Sequence, residues 1–228
     1  MKINNQLYDL YDSKWNDFLS MKDQLDNEGI YDYSSPLLMY CWEQEYEEGN
    51  KKILFVGQES NSWYEDGSSL NENSLNQVIS NYEDFDLGNG YNSPFWHFVH
   101  NLNNRFNNSS HSFLWTNINK FGLDKGKGRP NKRVTELENQ YFNILKDELN
   151  IINPDAVIFL TGPNYDNDIK NKLGSIKFIK CTTDHDVREF ARLENQYLPY
   201  DSYRIYHPNY LSYNSSTDEY LDTLSNLL

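Results

Sequence analysis

Two kinds of apolar spacing alternate along the chain. Within residues 5–25, Leu7, Leu10, Trp15, Phe18, Leu19 and Met21 follow a helical period and predict an amphipathic helix. Ser34-Ser35-Pro36 has the form of a helix start, with Pro36 in the first turn, and Gly49-Asn50 the form of a stop, so a second helix is expected to about Glu48. Ile53-Leu54-Phe55-Val56 is then a short, unbroken apolar run ending in Gly57, the pattern of a strand buried on both faces. Phe113-Leu114-Trp115-Thr116, Ala156-Val157-Ile158-Phe159-Leu160 and Tyr203-Arg204-Ile205-Tyr206 repeat it, and 176–180 offers a fifth strand. Helical patterns over 93–106, 134–149 and 217–228 fill the gaps, while 60–92, rich in Asn, Ser, Gly and Asp, reads as a long loop with one short helix.

Strands alternating with helices require crossover connections. The expected fold class is therefore α/β: a three-layer α/β/α domain with a central parallel sheet of four or five strands. No internal repeat or linker interrupts the 228 residues, so one domain is expected over 1–228, with 1–50 as an N-terminal helical extension packed on it.

Charge changes the picture only locally. The formal net charge of −14 disfavours polyanions and anionic membranes as partners. Residues 105–133 nevertheless hold seven basic side chains (Arg105, Lys120, Lys125, Lys127, Arg129, Lys132 and Arg133) against Asp124 alone. A polyanion would be met there, and the remaining acidic surface leaves room for a protein partner; a solvated basic loop is the alternative. Two cysteines, Cys41 and Cys181, exclude a four-thiolate iron–sulfur or zinc site within the chain. The polar N-terminus and the lack of any 18-residue apolar run predict a soluble, cytoplasmic protein with no membrane contact.

Ligands of open α/β sheets gather beyond the carboxyl ends of the strands. The residues there are Gly57-Gln58-Glu59-Ser60-Asn61, Asn117-Ile118-Asn119-Lys120, Thr161-Gly162-Pro163-Asn164 and His207-Pro208-Asn209-Tyr210-Leu211-Ser212. A carboxylate, an amide and an imidazole at one edge compose a site able to hydrolyse a bond while reading a polar heterocycle.

In these segments the sequence resembles the uracil-DNA glycosylase superfamily. Gly57-Gln58-Glu59 matches the first places of that family's Gly-Gln-Asp-Pro-Tyr loop, FLWTN at 113–117 its strand ending in a base-reading Asn, and His207, Pro208, Leu211 and Ser212 its His-Pro-Ser-Pro-Leu-Ser motif. The resemblance runs from about 50 to 228. It implies a DNA partner carrying a deaminated or damaged base, base flipping, hydrolysis of the N-glycosidic bond, and no metal or organic cofactor. By the same resemblance Glu59 and His207 are catalytic, Gln58 and Asn117 bind the base, and Leu211 is the wedge that fills the vacated stack. Trp63, Tyr64, Phe95 and Trp96 are candidates for the ring that stacks on the base, and Lys120, Lys125, Lys127 and Arg129 for phosphate contacts.

Ser60-Asn61 replaces the family's Pro-Tyr, so selectivity for uracil over thymine does not follow. Each singled-out residue also has an architectural reading: Glu59 as a helix cap or ion-pair partner, Asn117 in an Asx turn, His207 as a turn residue, Leu211 and the large rings as core. The same fold without catalysis, binding a nucleobase, nucleotide or protein, is the competing function; an enzyme acting on a small nucleoside or nucleotide is a third. Asp184-His185-Asp186 places neighbouring donors in different directions and reads as a surface loop, and Gly126-Lys127-Gly128 lacks the frame of a P-loop.

Overall fold

The computed structural model describes residues 2–228, and its chain order is α1 (Ile3–Asn27), α2 (Glu43–Glu48), β1 (Ile53–Gly57), α3 (Leu75–Phe85), α4 (Pro94–Asn104), β2 (Phe113–Asn117), α5 (Lys132–Tyr141), α6 (Leu145–Ile152), β3 (Ala156–Phe159), α7 (Asp166–Leu173), β4 (Lys177–Ile179), β5 (Phe190–Glu194), β6 (Asp201–Ile205), α8 (Pro208–Tyr213) and α9 (Thr217–Leu227). The unbroken apolar runs do form strands: every residue of β1, β2 and β3 is buried. The sheet order is β2-β1-β3-β6-β5-β4. The first four strands are mutually parallel, whereas β5 runs antiparallel to β6 and β4 antiparallel to β5. A six-strand mixed sheet thus replaces the expected parallel sheet of four or five. One helical group joins α1 to α5 and α6, and a second joins α4 to α8 and α9. The arrangement is consistent with a three-layer α/β/α domain. Among the described residues no helix is long and apolar enough to cross a membrane.

Three expectations require correction. Helix α1 forms, but residues 36–42 do not continue into a second helix, and only Glu43–Glu48 is helical. Residues 33–39 are buried without interruption, which a helix with a single apolar face cannot achieve. The segment threads through the core and finds separate partners for its backbone. Ser34 N donates to Gly122 O (2.9 Å), Ser35 N to Glu65 O (2.8 Å) and Leu37 N to Lys120 O (2.9 Å), while Met39 N donates to the Tyr11 hydroxyl (3.0 Å). The pattern over 134–149 divides into α5 and α6, because Phe142, at φ −133° and ψ 38°, leaves the helical conformation at the end of α5. Strand β5 and helices α7 and α8 were not expected. Charged residues at alternate positions disguise β5, and α7 and α8 are only eight and six residues long.

The connections leaving β1 and β3 diverge, one travelling to β2 and the other toward β6. The edge between them is the sheet's topological switch point, where a crevice opens beyond the strand ends.

Candidate active site

Four strand-end loops deliver the site. Gly57 closes β1, and a Cβ there would lie 2.3 Å from the Asn117 side-chain amide, so the close approach of the β1 and β2 ends requires glycine. The chain then turns so that Gln58 Nε2 donates to Thr161 O (2.8 Å), tying the β1 loop to the end of β3 across the switch point. Ser62 and Tyr64 occupy left-handed backbone conformations (φ 50° and 49°) in the same loop. Such strain in non-glycine residues concentrates where a fold presents side chains to a ligand.

These loops enclose a cavity of about 590 Å³. Of the residues singled out from sequence, Gln58, Glu59, Trp63, Tyr64, Phe95, Trp96, Asn117, Lys127 and His207 all line it. Asn209, already placed at that edge by the sequence, also lines it, and Phe85, Tyr91, Ser93 and Trp115 line it and were missed. Phe85, Trp63 and Trp96 surround Trp115 with ring centroids 5.5, 5.6 and 5.0 Å from it. Trp63 and Trp96 are nearly fully buried, whereas Tyr64 and Tyr91 are exposed. The wall is therefore rigid within and open at the rim, a shape suited to a planar heterocycle.

Glu59 is the carboxylate of this cavity. Burial raises its pKa, opposed by the Tyr165 hydroxyl and by the charge of Arg129. Tyr165 ends the turn that follows β3 and places its hydroxyl 2.8 Å from Oε1 and 2.6 Å from Oε2. Sequence reading stopped one residue short of it, at Asn164.

His207 caps α8, its Nδ1 accepting from Asn209 N at 3.2 Å, with Pro208 in the first turn. A ring that accepts at Nδ1 carries its proton on Nε2. Burial lowers the His207 pKa to about 4, so the imidazole is neutral at physiological pH. Phe95 stacks on the ring (5.6 Å between centroids, 28° between planes). The cavity thus holds a carboxylate and a neutral N–H donor on loops from different strands.

Asn117 departs from its expected role. Oriented by its hydrogen-bond network, its amide oxygen accepts from Ser60 N (3.1 Å) and Oγ (3.2 Å) while its nitrogen donates to Thr116 O (3.2 Å). The side chain is 2% exposed, so it braces the Glu59 loop instead of presenting a free edge. Leu211 is fully buried in α8 and is core, not a protruding wedge. The proposed phosphate cations also separate. Lys120 is 2% exposed and ion-paired with Glu148 (2.6 Å), and so lies in the interior instead of on the surface. Arg129 is paired with Asp168 (2.8 Å), Arg133 with Glu28 (2.9 Å) and Lys132 with Glu136 (3.0 Å). Lys125 is exposed with Asp124 at 3.7 Å, and Lys127 alone of the stretch lines the cavity. Among the described residues no group of three or more His, Cys, Asp and Glu side chains is placed to hold a metal ion, and His185 lies buried against Phe190 and Tyr220.

Comparison of the sequence with protein-family models and with curated proteins finds no match.

Proposed function

We propose that the chain hydrolyses an N-glycosidic bond, holding a nucleobase in the aromatic cavity with a uracil-DNA glycosylase-like disposition of groups. One observation carries this reading: Glu59 and a neutral His207 share a cavity walled by aromatic rings. Cleavage of such a bond builds positive charge on the sugar and negative charge on the departing base. A carboxylate beside the sugar and an N–H donor beside the base therefore stabilise the transition state more than the ground state. Glu59 supplies the first and positions water, and His207 Nε2–H supplies the second. A neutral donor suits the task because it does not itself release a proton to the base at neutral pH. Gln58, held by Thr161 O, is left to contact the base with its remaining polar groups.

DNA is the first substrate class to test. A free nucleoside or nucleotide is the second, favoured by the internal pairing of Lys120, Arg129, Lys132 and Arg133, which leaves few cations for a polyanion. The experiment incubates the protein with single-stranded and duplex oligonucleotides carrying uracil, hypoxanthine or a thymine mismatch, and with the corresponding nucleosides, and measures released base by chromatography. Base release lost in both Glu59→Gln and His207→Ala supports the proposal. Release from nucleosides alone moves the substrate class to small molecules. No release from any of them overturns the hydrolytic reading in favour of a binding role.

A further inference from the structure

We propose that Tyr165 is a positioning residue that fixes the Glu59 carboxylate as an anion facing the cavity, with Arg129 and Asp168 as its support. The inference deepens the reading of Glu59 as the site's anion and rests on it. Its basis is a continuous chain of contacts from the surface of α7 to the cavity. Asp168, with its side chain 8% exposed, receives two hydrogen bonds from the Arg129 guanidinium, at 3.2 Å on Oδ1 and 2.8 Å on Oδ2. That guanidinium lies over the Tyr165 ring, 3.9 Å from its centroid. The Tyr165 hydroxyl in turn donates its single proton between both Glu59 oxygens.

Each link performs a separable task. The Asp168–Arg129 fork is planar and bidentate, so it fixes the guanidinium plane against which the tyrosine ring rests. The stacked cation holds the ring by its π face. The ring, buried on the turn that follows Gly162, cannot swing away from the carboxylate. Gly162 itself has φ 71°, which lets the chain leave β3 sharply enough to bring Tyr165 back over the switch point. The result is a carboxylate held by a donor from one side while its cavity side faces the space a substrate would occupy.

The arrangement also opposes the effect of burial. Desolvation pushes the Glu59 carboxyl toward its protonated form, and the nearby Asp168 charge acts in the same direction. The Tyr165 hydrogen bond and the Arg129 charge favour the anion. The other charged or titratable groups that line the same cavity are His207, neutral near pH 7, Lys127, Tyr64 and Tyr91. Tyr165 stays protonated, its pKa raised by burial and by the Glu59 charge, so the phenol acts as a donor and not as a base. Without the phenol, burial acts with less opposition, and Glu59 becomes neutral at higher pH.

The test is a titration of the Glu59 carboxyl by carbon NMR on glutamate-labelled protein, assigned with Glu59→Gln, in the wild type and in Tyr165→Phe. Losing one hydrogen bond to a charged group is expected to raise the Glu59 midpoint by about one pH unit, a tenfold change in proton affinity. Arg129→Gln, at a half-exposed position that leaves the phenol in place, is expected to move the midpoint the same way by a smaller step and serves if the phenylalanine variant fails to fold. An unchanged Glu59 midpoint in the folded Tyr165→Phe protein, or in folded Arg129→Gln if the former is unfolded, overturns the inference. With a substrate that releases base, Tyr165→Phe lowers kcat about tenfold, leaves KM within twofold and moves the acidic limb of the rate profile upward; a fall confined to KM overturns the inference. The absence of base release from every substrate overturns the hydrolytic reading alone, because the NMR titration still decides whether Tyr165 holds Glu59.

Discussion

Replacing His207 by asparagine isolates the cost of keeping a neutral imidazole in the cavity. Asparagine preserves a side-chain oxygen able to cap Asn209 N, so the start of α8 retains its acceptor while the titrating ring is removed. In the folded protein the ring titrates at about 4, against 6.5 for an unperturbed histidine. A base whose folded pKa is depressed destabilises the fold as pH falls. The penalty begins near 6.5, where the unfolded chain takes up the proton, and is complete near 4, where the folded chain takes it up too. At about 1.4 kcal/mol per unit the whole difference has a ceiling of roughly 3 kcal/mol. Between pH 7 and pH 5 the linkage amounts to ~2 kcal/mol, and contact of the ring with solvent in the cavity reduces it to about 1–2 kcal/mol. Urea unfolding of both proteins at the two pH values measures it directly. The wild type should lose that much more stability than His207→Asn on going from pH 7 to pH 5, the carboxylates common to both proteins cancelling in the comparison. Equal losses in the two proteins would refute the claim that His207 is held neutral by burial, and with it the assignment of Nε2–H as the site's donor.

Three further substitutions test the framework around the site. Lys120→Met strands Glu148, which is fully buried and otherwise bonded to the Tyr11 hydroxyl (3.0 Å), and should cost about 3–5 kcal/mol in denaturant unfolding, with Lys120→Met/Glu148→Leu recovering much of the loss. Gly122→Ala places a Cβ 1.7 Å from Ser60 O, so the backbone of the Glu59 loop must move; a loss of at least ~2 kcal/mol is expected together with altered ring-current shifts at Trp63 and Trp96, and a neutral result would mean that the two loops are not in contact. Arg204→Met removes a buried guanidinium that donates to Asp166 Oδ1 (3.0 Å) and to the carbonyls of Val187 (2.9 Å) and Arg188 (2.6 Å), leaving acceptors unpaired, and should lower thermal stability by an amount equivalent to about 2–4 kcal/mol.

Strands β1, β2 and β3 were legible because they are buried throughout and so read as short, largely apolar runs. Strand β4 falls within the 176–180 run that offered a fifth strand, but β5 was not legible: Phe190-Ala191-Arg192-Leu193-Glu194 alternates, and its Arg and Glu pair with each other along the strand (2.7 Å), which in sequence resembles a charged loop. Gln58, Glu59 and His207 could be placed in advance because strand ends in such sheets converge. Tyr165 could not, since a tyrosine carries no signal of its partner until the turn after β3 is known. The basic stretch misled for the same reason. Local charge counts cannot see that Glu148, Glu28 and Asp168, each at least 28 residues away in the chain, neutralise Lys120, Arg133 and Arg129. Leu211 was misassigned because a short motif fixes neighbours in sequence, whereas the six-residue α8 turns that leucine inward.

The distribution of backbone strain gives an independent reason to regard the cavity as built for a ligand. Among the described residues, the non-glycine positions with left-handed φ are Ser62, Tyr64, Asp86, Leu87, Asn153 and Ser215. Asp86 caps α3, Asn153 caps α6 and Ser215 follows α8, ordinary places for such a conformation. The other three sit in the two segments that carry the cavity wall: Ser62 and Tyr64 flank Trp63, and Leu87 lies two residues after Phe85. Leu87 is a large γ-branched residue with nothing in its side chain to relieve the strain, yet it is fully buried, and the helix reverses there so that Trp96 can pack over Gly88. The Trp63 indole N–H is likewise buried without a partner. Strain and an unmet donor each cost about 1–3 kcal/mol, and a fold under selection for stability alone would shed them. The strained backbone at Ser62, Tyr64 and Leu87 thus lies in the segments that carry the aromatic rings of the cavity, and the placing of those rings is maintained at a cost in stability.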